Sequence, residues 1–154
     1  MTLELTVVDA FTSRPFSGNP AAVAVVDHFP SERAMQDVAA EMNLSETAFV
    51  VPRGDRAYEL RWFTPSVEVD LCGHATLAAA HVVGGTGRFH TRSGALSCSS
   101  AKGGRIEMDF PSADPEPRPG EAPFESVTWF GGTESVLLAE LPTADAVRTY
   151  RPDF

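Results

Sequence analysis

A run of small apolar residues near the middle of the chain constrains the fold more than any other feature. Residues 75–83 read ATLAAAHVV, which is apolar nearly all round and rich in alanine. A helix without a polar face is a buried helix, and small side chains let neighbouring strands approach it closely. Gly84 and Gly85 end the run. We therefore predict a buried helix over 75–83 that is wrapped by sheet.

Short β-rich segments lie on both sides of this run. The strands are predicted at 3–8, 21–26, 48–51, 58–63, 87–92, 94–99 and 104–110. One amphipathic helix is predicted from Ser31 to Met42, because Ser31 is a good N-cap and apolar residues follow it at helical spacing. The pattern predicts many short strands and few helices.

A proline-rich stretch divides the chain after residue 110. Residues 111–123 carry five prolines in thirteen positions, which is typical of a semi-rigid linker or a surface crossing. We assign 1–110 to one lobe, 111–126 to a linker, and 127–154 to a short hairpin and C-terminal fragment. The hairpin is predicted to turn at Gly131 and Gly132.

The charge and the cysteine content exclude several classes of protein. Among 154 residues, 21 acids outnumber 12 bases, for a net charge of −9, and this repels phosphate backbones and anionic lipid surfaces. We predict no nucleic-acid or membrane partner. Two cysteines, no signal-peptide pattern and no long apolar run favour a reduced, cytoplasmic protein. Nucleotide, flavin and metal motifs are absent from the sequence, so no cofactor and no metal are predicted.

Glu46 is the first candidate for chemistry. It follows a predicted helix and precedes an apolar strand, so its carboxylate is expected to be partly buried. Burial disfavours the charged form and raises the pKa, which suits a residue that shuttles a proton. The alternative is a carboxylate that caps a turn or accepts from a backbone N–H.

The second candidate is the segment Cys72-Gly-His-Ala-Thr76, at the start of the predicted buried helix. The free N–H groups of Gly73, His74, Ala75 and Thr76 would bind an anion there. His74 could donate to a substrate or relay a proton, and a helix N-terminus would favour the Cys72 thiolate. The alternative is a small buried Cys72 and a structural His74.

The third candidate is Asn19, within Ser17-Gly-Asn-Pro20. These residues are typical of a tight turn that fixes the following strand. The functional alternative is that the Asn19 side chain faces the substrate.

Three segments in order now resemble one family. They are 8–20 (VDAFTSRPFSGNP), 41–49 (EMNLSETAF) and 61–76 (RWFTPSVEVDLCGHAT), and 108–111 and 147–154 are also similar to its later segments. The chain resembles the phenazine-biosynthesis isomerases (PhzF-like), which are related to diaminopimelate epimerase. The resemblance implies an α+β, diaminopimelate-epimerase-like lobe: a mostly antiparallel, barrel-like sheet around a central buried helix.

The resemblance also implies cofactor-free proton transfer at carbon, in a cleft between two such lobes. Glu46 matches the family's catalytic glutamate, and Ser45, Gly73 and His74 match residues that line its substrate pocket. Cys72 matches a position at which the epimerases carry a catalytic thiol.

Members of this family are about twice as long, and nothing here resembles the acidic residue and glycine-rich helix start of their second lobe. We therefore expect an isomerase or epimerase acting on a small carboxylate-bearing metabolite, with its site completed by a second subunit. The alternative is a non-catalytic or partner-dependent half that binds a small anion or another chain. A thiol-based racemase that uses Cys72 is a third hypothesis.

Overall fold

The structure is a computed structural model and describes residues 2–120, 122, 124–133 and 136–151. The chain divides into two compact units on either side of the Phe110–Pro111 bond. Among the described residues, no helix has the length and apolar character needed to cross a membrane.

The first unit is built on one sheet of eight strands. Its strands are β1 (Thr6–Ala10), β2 (Asn19–Val25), β3 (Glu46–Pro52), β4 (Ala57–Phe63), β5 (Glu68–Val69), β6 (Gly87–Thr91), β7 (Gly94–Ser100) and β8 (Ile106–Asp109). The order is β1-β2-β3-β4-β6-β7-β8, with β5 beside β4. Most pairings are antiparallel; β2–β3 and β4–β6 are parallel.

Each parallel pair is joined through a helix, as parallel strands require a crossover. Helix α1 (Glu32–Met42) joins β2 to β3, and helix α2 (Gly73–Val82) lies between β4 and β6 in the chain. The hydroxyl of Ser31 accepts a hydrogen bond from the Ala34 N–H at 3.3 Å, and Asn43 ends α1 in the left-handed conformation. The predicted helix over Ser31–Met42 is confirmed, including its cap.

The sheet curls around α2. This helix contacts β1, β2 and β3 and also β8, at the other end of the strand order. In a flat sheet, strands six positions apart would be about 29 Å apart, whereas a helix with side chains is about 10–12 Å wide. Contact with both ends therefore requires a curved sheet, which confirms the predicted barrel-like sheet around a central helix.

Two cores lie on the two faces of the sheet. On the inner face, the fully buried Ala75, Ala78, Ala79 and Ala80 of α2 pack against residues such as Val23. On the outer face, Met35 and Ala39 of α1 pack against Phe49 and Phe63. Strand β3 is buried from both sides, which explains its unbroken apolar run from Ala48 to Val51.

Adding volume to the buried face of α2 tests whether the sheet packs tightly around this helix. Because Ala79 has no exposed surface, Ala79→Leu should lower the free energy of unfolding by about 1–3 kcal/mol, measured by urea denaturation. The matched control is Ala40→Leu, at an exposed position of α1, which should change stability by less than about 0.5 kcal/mol. Equal stability of the two variants would contradict a tightly wrapped α2.

The second unit contains a three-stranded antiparallel sheet. Strands β9 (Glu116–Pro117), β10 (Trp129–Gly132) and β11 (Leu137–Glu140) pair in the order β11-β10-β9, and α3 (Ala144–Thr149) follows. The predicted linker over 111–126 thus contributes a strand. Residues 152–154, part of the last segment used for the family resemblance, lie outside the described residues.

The predicted turn at Gly131 and Gly132 is wrong, because both glycines lie within β10. A Cβ on Gly131 would lie 2.3 Å from the carbonyl oxygen of Glu116, so the close approach of β9 requires glycine there. The chain reverses after β10, where the Thr133 N–H donates to the Val136 carbonyl at 2.9 Å.

Candidate active site

The strand register brings Glu46 to the start of α2. Glu46 is the first residue of β3, and its Cα pairs with that of Ala21 in β2. Glu46 shares a face of β3 with Ala48 and Val50, which pack in the same core as α2. The first turn of α2, which begins at Gly73, lies over this end of the sheet, because His74 approaches Glu46 to 3.2 Å.

Glu46 and His74 form a close, buried pair. Glu46 Oε2 lies 3.2 Å from His74 Nε2, and the two side chains are 19% and 11% exposed. Both atoms are themselves inaccessible, and neither makes an aligned hydrogen bond with any described residue. The contact is therefore close in distance but not in hydrogen-bond geometry, as is common in catalytic sites without substrate.

Cys72 completes a cluster of three side chains. Its Sγ lies 3.5 Å from Nδ1 of His74 and is also close to the Glu46 carboxylate. Thr76 donates its hydroxyl to the Cys72 carbonyl at 2.5 Å. The Cys72 side chain makes no capping hydrogen bond to α2, although the backbone N–H groups of His74 and Ala75 lie close enough to its sulfur to affect the pKa of the thiol.

The expectation of a favoured thiolate at Cys72 is wrong. Burial raises the pKa of this thiol from its ordinary value of 9.0 to about 11, and the nearby Glu46 carboxylate adds to the rise. The backbone N–H groups of Ala75 and His74 lower the pKa, but not enough to offset these effects. The helix N-terminus is therefore outweighed by desolvation and by a neighbouring negative charge, and Cys72 is a neutral thiol at neutral pH.

Thiol alkylation tests this assignment. Two pKa units separate the folded thiol from one at the ordinary value of 9.0. Cys72 should therefore react with iodoacetamide at pH 7.5 about 100-fold more slowly than in the urea-unfolded chain, as followed by peptide mass spectrometry. Cys98 is the internal reference, since burial raises its pKa to about 11 as well. Rapid, selective labelling of folded Cys72 would contradict a neutral thiol.

An apolar wall lies beside the start of α2. A Cβ on Gly73 would be 3.6 Å from the Phe110 ring and 3.7 Å from the Met108 methyl group, so Gly73 leaves room between the helix and the end of β8. The Phe110 side chain is half-exposed. Sequence reasoning assigned these two residues no role, because only the curvature of the sheet brings β8 to α2.

The remaining predicted binding residues lie around the cluster. Asn19 is the first residue of β2 and shares a face with Ala21, so it lies on the inner face at the same end of the sheet as Glu46. Ser45 is exposed and directly precedes Glu46. Ala75 and Thr76 are fully buried, so neither side chain is open to a ligand.

One surface cavity lies away from this cluster. It encloses about 440 Å³ and is lined by Val7, Asp9, Pro15, Phe16, Gly18 and Pro20. Val7 and Asp9, which line the cavity, alternate along β1 with the inward-facing Val8 and Ala10. The cavity therefore lies on the outer face of β1 and β2. We place the site at Glu46, Cys72 and His74 because the reactive groups converge there.

The cluster also has the composition of a metal site. Glu46, Cys72 and His74 each offer one ligand atom, and these atoms lie within 4.8 Å of one another. However, both ring nitrogens of His74 already face protein groups. A cation would have to displace the proton of the Cys72 thiol, whose pKa is about 11, so the cluster fits proton transfer better than metal binding.

A curled mixed sheet around an alanine-rich helix agrees with the epimerase-like lobe that the sequence resemblance implies. The sequence model of the PhzC-PhzF family, described as phenazine biosynthesis-like protein, matches residues 8–144. The chain belongs to this family.

Three relatives show how much of the family the chain represents. An uncharacterised isomerase of Pseudomonas aeruginosa is 47% identical over all of this chain and 63% of its own length. The human phenazine biosynthesis-like domain-containing protein is 46% identical over 72% of this chain and 43% of its own length. A PhzF-family protein from Enterococcus faecalis superposes with a TM-score of 0.84 at 38% identity, over 99% of this chain and 62% of the other. The matched part of the chain therefore covers about two-fifths to three-fifths of the length of these relatives.

Proposed function

We propose that the chain carries the acid–base site of a cofactor-independent isomerase or epimerase that moves a proton at carbon on a small carboxylate-bearing metabolite. The observation that carries this proposal is the inaccessible, unpartnered Oε2 of Glu46, 3.2 Å from Nε2 of His74. A buried carboxylate oxygen without a hydrogen bond is costly to maintain, and such groups concentrate at functional sites.

The chemistry follows from the positions of the groups. Glu46 takes the proton from a carbon next to an electron-withdrawing group, and the electron pair is delocalised onto that group. His74 then donates a hydrogen bond to the developing negative charge, and Glu46 returns the proton to the same or another carbon. The carboxylate of the substrate binds the free N–H groups at the start of α2, and the cytoplasm is the proposed location.

We also propose that a second copy of the chain, or a complementing lobe, completes the site. Large apolar side chains are exposed on β1 and the loop that follows it: Val7 at 54%, Phe11 at 74% and Phe16 at 98%. This loop leads directly into Asn19, at the Glu46 end of the sheet, whereas Val7 and Phe16 themselves lie on the outer face. Exposed apolar patches of this kind mark interaction surfaces.

The same patch supports the second candidate function, a partner-dependent half without turnover of its own. The two candidates differ in what the isolated chain does. Light scattering should give a dimer at micromolar concentration if the chain completes its own site, and a monomer if it requires a different lobe. The thiol racemase is not favoured, because the pKa of Cys72 is about 11.

Exchange with solvent tests the proposed activity directly. The native protein is incubated in ²H₂O with a panel of amino acids and cyclic diene carboxylic acids, and deuterium at carbon is followed by NMR and mass spectrometry. Incorporation into one class of acid above the protein-free rate supports proton transfer at carbon. Exchange at the protein-free rate across the panel, from a protein shown to be dimeric, would count against it.

A further inference from the structure

Proton transfer by Glu46 and His74 leaves Cys72 without a role, although Cys72 is held firmly within the cluster. Its side chain is 7% exposed, and its Sγ lies 3.5 Å from His74 Nδ1. The Thr76 hydroxyl anchors the Cys72 carbonyl at 2.5 Å. The thiol is thus fixed against one nitrogen of the ring whose other nitrogen faces Glu46.

The two contacts of His74 determine where its proton lies. Nε2 lies 3.2 Å from a carboxylate oxygen, and at that distance an N–H on Nε2 interacts more favourably with the negative charge than a lone pair does. The proton of a neutral His74 is therefore on Nε2, which leaves Nδ1 as an acceptor. The Cys72 sulfur lies within hydrogen-bond distance of Nδ1 and carries a proton because its pKa is about 11. The Glu46 carboxylate is the other group close enough to accept that proton.

We propose that Cys72 is a positioning residue that donates its S–H to Nδ1 of His74 and so holds the ring in the Nε2–H tautomer, with the donor directed at the reaction site. The catalytic purpose of this contact rests on the proposed function, whereas the experiments that test the contact do not. Metal-ligating and catalytic histidines are commonly oriented through their second nitrogen in the same way. The thiol stays protonated throughout, so no covalent or redox step is involved.

The S–H stretching vibration of the protein tests the contact without any substrate. A thiol that donates to a ring nitrogen should absorb at lower frequency than one that is only buried. Cys98 supplies the matched reference, because burial alone raises its pKa to about 11. Infrared spectra of Cys72→Ala and Cys98→Ala assign the two bands, and the Cys72 band should lie lower.

Two further variants identify the acceptor of the thiol proton. His74→Phe should move the Cys72 band to the Cys98 position, whereas Glu46→Gln should leave it in place. A band that moves with Glu46→Gln and not with His74→Phe would assign the donor to the carboxylate and overturn the proposal. A Cys72 band at the Cys98 frequency in the native protein would also overturn it.

Nitrogen NMR of the native protein reports the protonation of each ring nitrogen of His74, and this measurement does not depend on whether a variant folds. With ¹⁵N-labelled histidine, His74 should show a protonated Nε2 and a hydrogen-bonded, unprotonated Nδ1. Cys72→Ser should keep the Nδ1 signal, since a hydroxyl can donate equally, and Cys72→Ala should move it. A proton found on Nδ1 would overturn the proposal.

Exchange kinetics then separate this inference from the proposed function. Cys72→Ala should lower the deuterium-incorporation rate about five- to tenfold, as for loss of one hydrogen bond, and Cys72→Ser should restore it. A protein that exchanges nothing would refute the proposed function alone, because the two spectroscopic results would still decide the role of Cys72.

Discussion

Replacement of Glu46 by glutamine will reduce deuterium incorporation at carbon by about 10²- to 10⁴-fold, the range expected for loss of a general acid–base group. The amide has nearly the same shape as the carboxylate but cannot accept a proton at neutral pH. The 3.2 Å approach to His74 can therefore be kept while proton transfer is lost. The measurement is the rate of the ²H₂O exchange reaction with the acid that the native protein labels.

The matched control is Glu41→Gln. Glu41 is an exposed carboxylate in the last turn of α1, five residues before Glu46, so the same change of charge occurs nearby without touching the cluster. This control should exchange at the native rate, and both variants should unfold at the native urea concentration. A Glu46→Gln protein with native exchange would refute Glu46 as the base.

Removal of the Glu68 carboxylate will destabilise the fold by about 3 kcal/mol. Glu68, in β5, is 7% exposed and accepts from Arg61 Nε at 2.7 Å and from Arg61 Nη2 at 2.6 Å. Arg92 Nη2 also lies 2.8 Å away. Glu68→Ala leaves the Arg61 guanidinium, which is 20% exposed, without its bidentate partner, and urea denaturation measures the loss.

Another carboxylate–arginine pair supplies the comparison. Glu59 and Arg53 approach to 2.6 Å, but their side chains are 41% and 48% exposed. Solvent screening leaves such an exposed pair with little effect on stability, so Glu59→Ala should be nearly silent. Similar losses in the two variants would mean that burial of Glu68 adds nothing to its interaction with arginine.

The elements and the chemical groups of the site were predictable from local sequence. The absence of a polar face in 75–83 predicted the buried helix, and the strand after Glu46 placed that carboxylate at the edge of the core. The small residues of 75–83 also predicted a sheet wrapped around this helix, but the strand order that curves the sheet was not predicted, because pairing between strands distant in sequence leaves no local periodicity.

Three features could not be predicted from the sequence, and the physical reason is the same for each. The contact of Met108 and Phe110 with Gly73, the close approach of β9 to Gly131, and the neutral state of Cys72 each depend on groups from another part of the chain. The Cys72 prediction considered the helix N-terminus, which is local, but not the desolvation and the Glu46 charge, which are not.

The contact of α2 with both β1 and β8 has a consequence for how the chain folds. The first and last strands of the sheet are separated by about a hundred residues, and α2 lies between them in sequence. Contacts between residues so far apart in sequence form late, and they lengthen the folding time to milliseconds or seconds. During synthesis, the helix would emerge from the ribosome before β6, β7 and β8 exist to cover it. Its apolar surface would then be open to chaperones until the final strand arrives.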